Sequence, residues 1–296
     1  MELLKQNAAD WRSRGAAVFQ PAEERAARDR AIVADGLFER APKPSVARGR
    51  HVAPLPAGML GRRSGAAFAG ADQLTITMHG RGGDHGSRLE TPVDPVVMAV
   101  AAVRRLQTVI AREVADGDSA VLTAGQVQAG SKHNVIPNDA VLGLSVRSSI
   151  VEVHERVMSG IERIVNAEAA ASVAEREPEI VLQDSLPVLV NDTAATSHTR
   201  AAFDAGLTGQ AVMDPGAVTG SDDVGIISDA AGVPLCFWLL GDTEPAEFAA
   251  ASAAGTVDRG IPSNHSPHFA PLISPTLEAG IAVLVVAARE RLDEAT

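Results

Sequence analysis

The chain has 296 residues, 46% hydrophobic and 21% charged, enough to bury one large core or two modest ones. Its net charge of -11 and pI near 5.2 repel phosphate backbones and anionic lipid, which argues against nucleic acid and membrane surfaces as partners. The single cysteine, Cys236, excludes an intrachain disulfide and a thiolate cluster and fits a cytoplasmic protein, and the longest apolar stretch, Ile281 to Ala288, falls well short of the roughly 20 residues that span a bilayer.

In chain order, the apolar run Ala16-Ala17-Val18-Phe19 predicts a short strand, followed by Gln20-Pro21 and the adjacent carboxylates Glu23 and Glu24. A helix is expected from about Ala26 to Asp35, stopped by Gly36, and then a strand near Val46 to Val52. Leu74, Ile76 and Met78 alternate with Thr75, Thr77 and His79, the pattern of a half-buried strand. A helix follows from about Asp94 to Val114, with Val96, Val97, Val100, Val103, Leu106, Val109 and Ile110 as its apolar face. Strands Ala120 to Gln128 and Ala140 to Ser148 flank a turn-rich segment, and helix Val151 to Ala171 and strand Glu179 to Leu182 complete the set.

The order β-α-β-β-α-β is that of a ferredoxin-like sandwich. Beyond it come helix Asp192 to Ala205, strand Pro234 to Leu240, a short alanine-rich helix within Phe248 to Gly255, and helix Pro275 to Leu292. The fold class is therefore α/β. Residues 1–70 and 185–296 form two parts of one α/β domain, interrupted by an inserted α+β domain over 71–184.

Three polar features fall in the α/β parts: Glu23-Glu24 after the first strand, His51 at a strand end, and His265 in the loop before the last helix. Carboxylate and imidazole suit Zn²⁺ or a similar transition metal, with an adjacent carboxylate left to take a proton from water. Each feature also has a plainer reading. A Glu-Glu pair after a proline suits a helix N-terminus, and a lone loop histidine is commonly structural or exposed.

The strings Phe19-Gln20-Pro21-Ala22-Glu23-Glu24, Gly49-Arg50-His51-Val52, Gly80-Arg81-Gly82-Gly83, Asn134-Val135-Ile136-Pro137, Thr219-Gly220-Ser221-Asp222-Asp223 and Asn264-His265-Ser266-Pro267 occur in a characteristic order. With them the chain resembles the amidohydrolase branch of the aminoacylase and carboxypeptidase metallopeptidase family, across essentially its whole length. The resemblance implies a zinc-peptidase-like α/β catalytic domain, with the inserted domain as a lid and homodimerisation domain. It also implies hydrolysis of an N-acyl amino acid or similar small amide at a divalent metal centre, Zn or Mn, with two metals in complete members. Glu23 becomes the general base, Glu24, His51 and His265 metal ligands, and His85 a catalytic histidine contributed across the dimer. Asn134 and Arg147 match substrate-contacting positions, although Arg147 also suits a solvated strand end. Asp222 and Asp223 match an acidic loop near the site, or cap the helix that follows.

The sequence departs from that pattern in several places, including Asp222 where the family has a glutamate. A Cys-Gly-His-Asp motif carried by an additional N-terminal segment in family members has no counterpart, so the α/β domain is expected to be incomplete at its N-terminus. Asp84 separates Gly83 from His85, where the family reads Gly-Gly-His, and Val224 replaces an aromatic after the acidic pair. A catalytically impaired remnant that acts through its dimerisation domain is the alternative expectation.

Overall fold

The computed structural model describes residues 4, 13–19, 28–84, 90–207, 209 and 211–292. Glu23, Glu24 and His85 lie outside the described residues. The elements are α1 (Arg28–Ala34), α2 (Leu37–Arg40), β1 (Ala47–Pro56), β2 (Leu60–Arg62), β3 (Gly65–Phe68), β4 (Gly70–His79), β5 (Gly83–Asp84), α3 (Pro95–Glu113), β6 (Ala120–Ala129), β7 (Val135–Ile136), β8 (Asp139–Ser148), α4 (Val151–Ala171), β9 (Glu179–Leu186), β10 (Leu189–Asn191), α5 (Thr193–Gly206), β11 (Val212–Met213), α6 (Gly225–Ala231), β12 (Leu235–Thr243), α7 (Pro245–Ala253), α8 (Val257–Gly260) and α9 (Thr276–Leu292). No described helix is long and apolar enough to cross a membrane. Backbone contacts divide the chain into two compact units, one of 1–67, 190–217 and 224–296, the other of 68–189 and 218–223.

The first unit is built on a four-stranded sheet in the order β1-β12-β2-β11. β1 and β12 run parallel, from Ala47 opposite Leu235 to Ala53 opposite Gly241, while β2 lies antiparallel to β12 with Arg62 opposite Trp238. From Leu235 to Asp242 every residue of β12 is buried, as expected of a strand covered on both faces. Cys236, Trp238 and Leu240 pack with Leu60 against Ala195 and Phe203 of α5 and Val283 and Ala287 of α9. The Phe203 and Trp238 rings meet edge to face at 5.5 Å. On α9 and the loop before it, Ile273, Leu277, Ile281 and Leu284 are exposed.

β2 ends opposite Trp238, so the next residue outward, Phe237, has no strand on that side. The Asn191 side chain replaces one. Its Oδ1 accepts from Phe237 N–H at 2.6 Å, and its Nδ2 donates to Phe237 O at 2.8 Å and to Arg63 O at 2.7 Å. Asn191 is 1% exposed, so this amide satisfies backbone groups that water does not reach.

The second unit has the sheet order β6-β8-β4-β9, every pair antiparallel, with α3 and α4 on one face. That is the ferredoxin-like arrangement. Leu74, Ile76 and Met78 face the helices, as their alternation requires, together with Leu142, Leu144 and Val146 of β8. α3 starts at an Asp94 cap whose carboxylate accepts from Val96 N–H at 2.8 Å. Its buried face differs from the sequence-based expectation: Pro95, Met98, Ala99, Ala102, Leu106 and Val109 are buried, whereas Val97 is 60% and Val100 49% exposed. The small Ala99 and Ala102 let the helix approach the sheet closely, which outweighs the greater hydrophobicity of the valines.

One further expectation is corrected. No strand forms in 14–19, where Phe19 is 86% exposed; among the described residues no neighbouring strand supplies a ladder to this apolar run. Asp222 and Asp223 are both buried.

Replacing Asn191 with Leu strips this amide from two buried backbone groups of Phe237 and from the partly buried Arg63 O, and a buried group left unsatisfied costs about 1–3 kcal/mol. Chemical denaturation should show a loss of at least about 2 kcal/mol; an unchanged midpoint would refute this role. In the second unit, His154 Nε2 meets the buried Asp72 Oδ2 at 3.1 Å, and this hydrogen bond raises the histidine pKa above its usual 6.5. A raised folded-state pKa means that the stabilisation is full below about 6.5 and is lost as pH rises through the folded value. The thermal midpoint should therefore fall over that rise in wild type, and the part due to this pair should vanish in His154→Gln.

Candidate metal centre

Parallel pairing of β1 with β12 brings their C-terminal ends to the same edge of the sheet, where open α/β sheets place their ligand sites. His51, expected at a strand end, instead lies mid-strand in β1, opposite Leu239, because β1 continues to Pro56; it is half-buried. Its Nδ1 is 2.6 Å from Val52 O. A carbonyl only accepts, so Nδ1 carries the hydrogen, which in the neutral tautomer places the lone pair on Nε2. Metal-ligating histidines are oriented and tautomer-fixed in this way.

The loop carrying His265 is tied to the same place. Asn264 Nδ2 donates to Val52 O at 2.8 Å, so one carbonyl receives both the His51 ring and the residue next to His265. Ser266 N–H closes a tight turn onto Ser263 O at 2.8 Å, leaving His265 exposed at its tip. Farther along, Leu272 N–H bonds Asp242 O at 2.8 Å and Thr276 Oγ1 donates to Gly241 O at 3.1 Å, anchoring the return of the loop to the end of β12.

Asp242, which sequence reasoning missed, stands at that end. It is 2% exposed, and burial pushes its carboxyl up to about 6 against the opposing pull of the Thr243 hydroxyl and the nearby His51. Thr243 Oγ1 lies 3.2 Å from Oδ1, while Oδ2 has no hydrogen-bond partner among the described residues. A buried carboxylate beside a histidine with a free Nε2 is an electrostatic setting that a cation relieves. The only signal in sequence was an acid ending an otherwise apolar strand.

The donor set fits a divalent transition metal, though His51 and His265 are its only expected ligands among the described residues, and no group of three or more potential ligands occurs among those residues. The other described candidates belong to the second unit. Arg147 is exposed at the end of β8 and donates from Nη1 to Thr219 O at 3.1 Å; Asn134 is exposed in the turn before β7.

The family description Peptidase family M20/M25/M40 matches residues 1–289. Over 180 residues the chain is 33% identical to an N-acetyldiaminopimelate deacetylase of Leuconostoc mesenteroides, covering 60% of this chain and 47% of the relative. Over 176 residues it is 32% identical to an N-acetylcysteine deacetylase of Bacillus subtilis, covering 59% and 45%. The chain thus spans about half the length of these curated relatives. The crystal structure of a Bacillus subtilis protein, described as a dinuclear metal binding peptidase from the M20 family, superposes with a TM-score of 0.73 at 23% identity, over 98% of this chain and 68% of that one.

Gly241 sits where β12 passes the bulged end of β1, and a Cβ there would run into the Pro56 carbonyl, a backbone group that cannot swing aside. Gly241→Ala should cost about 1–3 kcal/mol of stability and displace the Asp242 end of the strand. An unaltered denaturation midpoint would contradict the closeness of the two strands.

Proposed function

Because the chain belongs to peptidase family M20/M25/M40, we propose that it is a metal-dependent amidohydrolase cleaving the amide bond of an N-acyl amino acid or a similar small amide. The observation that carries this reading is the shared Val52 carbonyl, which holds His51 with Nε2 available and fixes the turn bearing His265. The names of the two deacetylase relatives support the substrate class. Glu24, His51 and His265 would hold Zn²⁺ or Mn²⁺, in a two-metal arrangement when the site is complete. Such a cation supplies Lewis acidity and lowers the pKa of water.

Glu23 would take the proton from the attacking water and return it to the leaving amine nitrogen, the carboxylate serving first as base and then as acid. Arg147 would meet the substrate carboxylate with the guanidinium nitrogens not committed to Thr219 O, and Asn134 would hydrogen-bond the amide or acyl oxygen. His85 would act across a homodimer formed through the ferredoxin-like unit.

The test combines metal content with turnover of N-acetyl amino acids. Glu23→Gln should keep its metal and lose about 10²–10⁴ in kcat. His51→Ala and His265→Ala should each lower bound metal at equal protein concentration. Metal content unchanged in both histidine variants would sink the assignment.

A further inference from the structure

A cavity lies in the same unit on the β2 side of β12, whereas His51 lies on β1, across β12 from it. It sits between β2, β11 and the outer turns of α5, has a volume of about 380 Å³, and its lining includes Arg62, Arg63, Thr196, Ser197 and Arg200. β2 runs antiparallel to β12 with Arg62 opposite Trp238, so this cavity sits four residues back along β12 from Asp242, roughly 13 Å of strand at about 3.3 Å per residue.

Its polar groups are poorly matched among themselves. Three guanidiniums face two carboxylates, and both carboxylates are engaged: Asp214 with Arg63 at 3.3 Å and Asp204 with Arg200 at 3.5 Å. Among the described residues Arg62 has no ion pair of this kind, and its Nη1 is buried with no hydrogen-bond partner. Burial and the Arg200 charge disfavour its cationic form by more than the Asp204 charge favours it. A guanidinium does not escape such a penalty by losing its proton. A second donor is stranded beside it: Thr196 is 5% exposed, lines the cavity, and its hydroxyl is also unpartnered among the described residues. Ser64 and Ser197 add further hydroxyls.

We propose that this cavity is an anion site, separate from the metal centre, that takes the tetrahedral phosphate group of inorganic phosphate or of a small phosphomonoester. Arg62 and Arg200 supply the opposing charge, and Thr196, Ser197 and Ser64 supply short donors at a density that suits a group with several acceptor oxygens. The volume leaves room for a small organic body beyond the phosphate. On a chain of net charge -11, this locally cationic cup selects anions against the general field of the molecule.

The test is thermal unfolding and calorimetric titration of the full chain with inorganic phosphate, methyl phosphate and, as a planar control, acetate, all at matched ionic strength. Phosphate should bind saturably and raise the thermal midpoint, acetate should not, and Arg62→Met and Thr196→Val should each weaken phosphate at least tenfold. Tighter binding of methyl phosphate than of inorganic phosphate assigns the organic ester as the ligand; the reverse order assigns free phosphate. Equal midpoints in phosphate and chloride, or phosphate affinity unchanged in both variants, would overturn the proposal. His51→Ala should bind phosphate as wild type does, which separates failure of this site from failure of the metal-site reading.

Discussion

The first unit depends on the burial of β12. Burial on both faces leaves each of its peptide groups reliant on a partner within the protein, since water cannot serve. β1 meets that need on one side, and β2 on the other only over Trp238 to Leu240. Asn191 supplies what β2 lacks at Phe237, and Asp192 N–H reaches Leu235 O at 2.9 Å. Register at the site follows from this pairing. A slip of one residue would carry Asp242 away from His51 and turn Trp238 away from Phe203 to the other face of the sheet.

That constraint explains how a weakly structured loop acquires a defined site. Residues 263–275 form no strand or helix, yet both ends of the loop are fixed to the sheet, at Val52 by Asn264 and at the β12 terminus through Leu272. Rigid strands carry the positioning and the loop carries the exposed imidazole, a common division of labour between scaffold and chemistry. The same sheet presents different chemistry on the two sides of β12: the His51 imidazole on β1, guanidinium and hydroxyl groups around Arg62 on β2, and the Asp242 acid at the C-terminal end of β12 itself.

Much of this was legible in the sequence where periodicity is strong. The alternation Leu74, Ile76, Met78 and the long period of Val151 to Ala171 mark their elements closely, because burial of one face imposes those patterns. On α3 the reading failed in phase: hydrophobicity favoured Val97 and Val100, but close packing favoured Ala99 and Ala102. The apolar run at 16–19 shows that composition alone does not make a strand without a neighbour. His51 and His265 stood out through their surrounding motifs. Asp242 and Arg62 did not, because a buried acid and an unpaired guanidinium are defined by what surrounds them in space, which the linear order of residues does not reveal.

The proposed metal site requires that the Val52 carbonyl orient His51 with Nε2 toward the metal and fix the turn that carries His265. Long-range ¹H–¹⁵N NMR of the histidine rings, before and after addition of ¹¹³Cd²⁺, tests it most directly. With cadmium bound, the His51 ring should carry its hydrogen on Nδ1, and one ¹¹³Cd should couple to His51 Nε2 and to a ring nitrogen of His265. A His51 ring protonated at Nε2, or cadmium bound without coupling to either histidine, would contradict it.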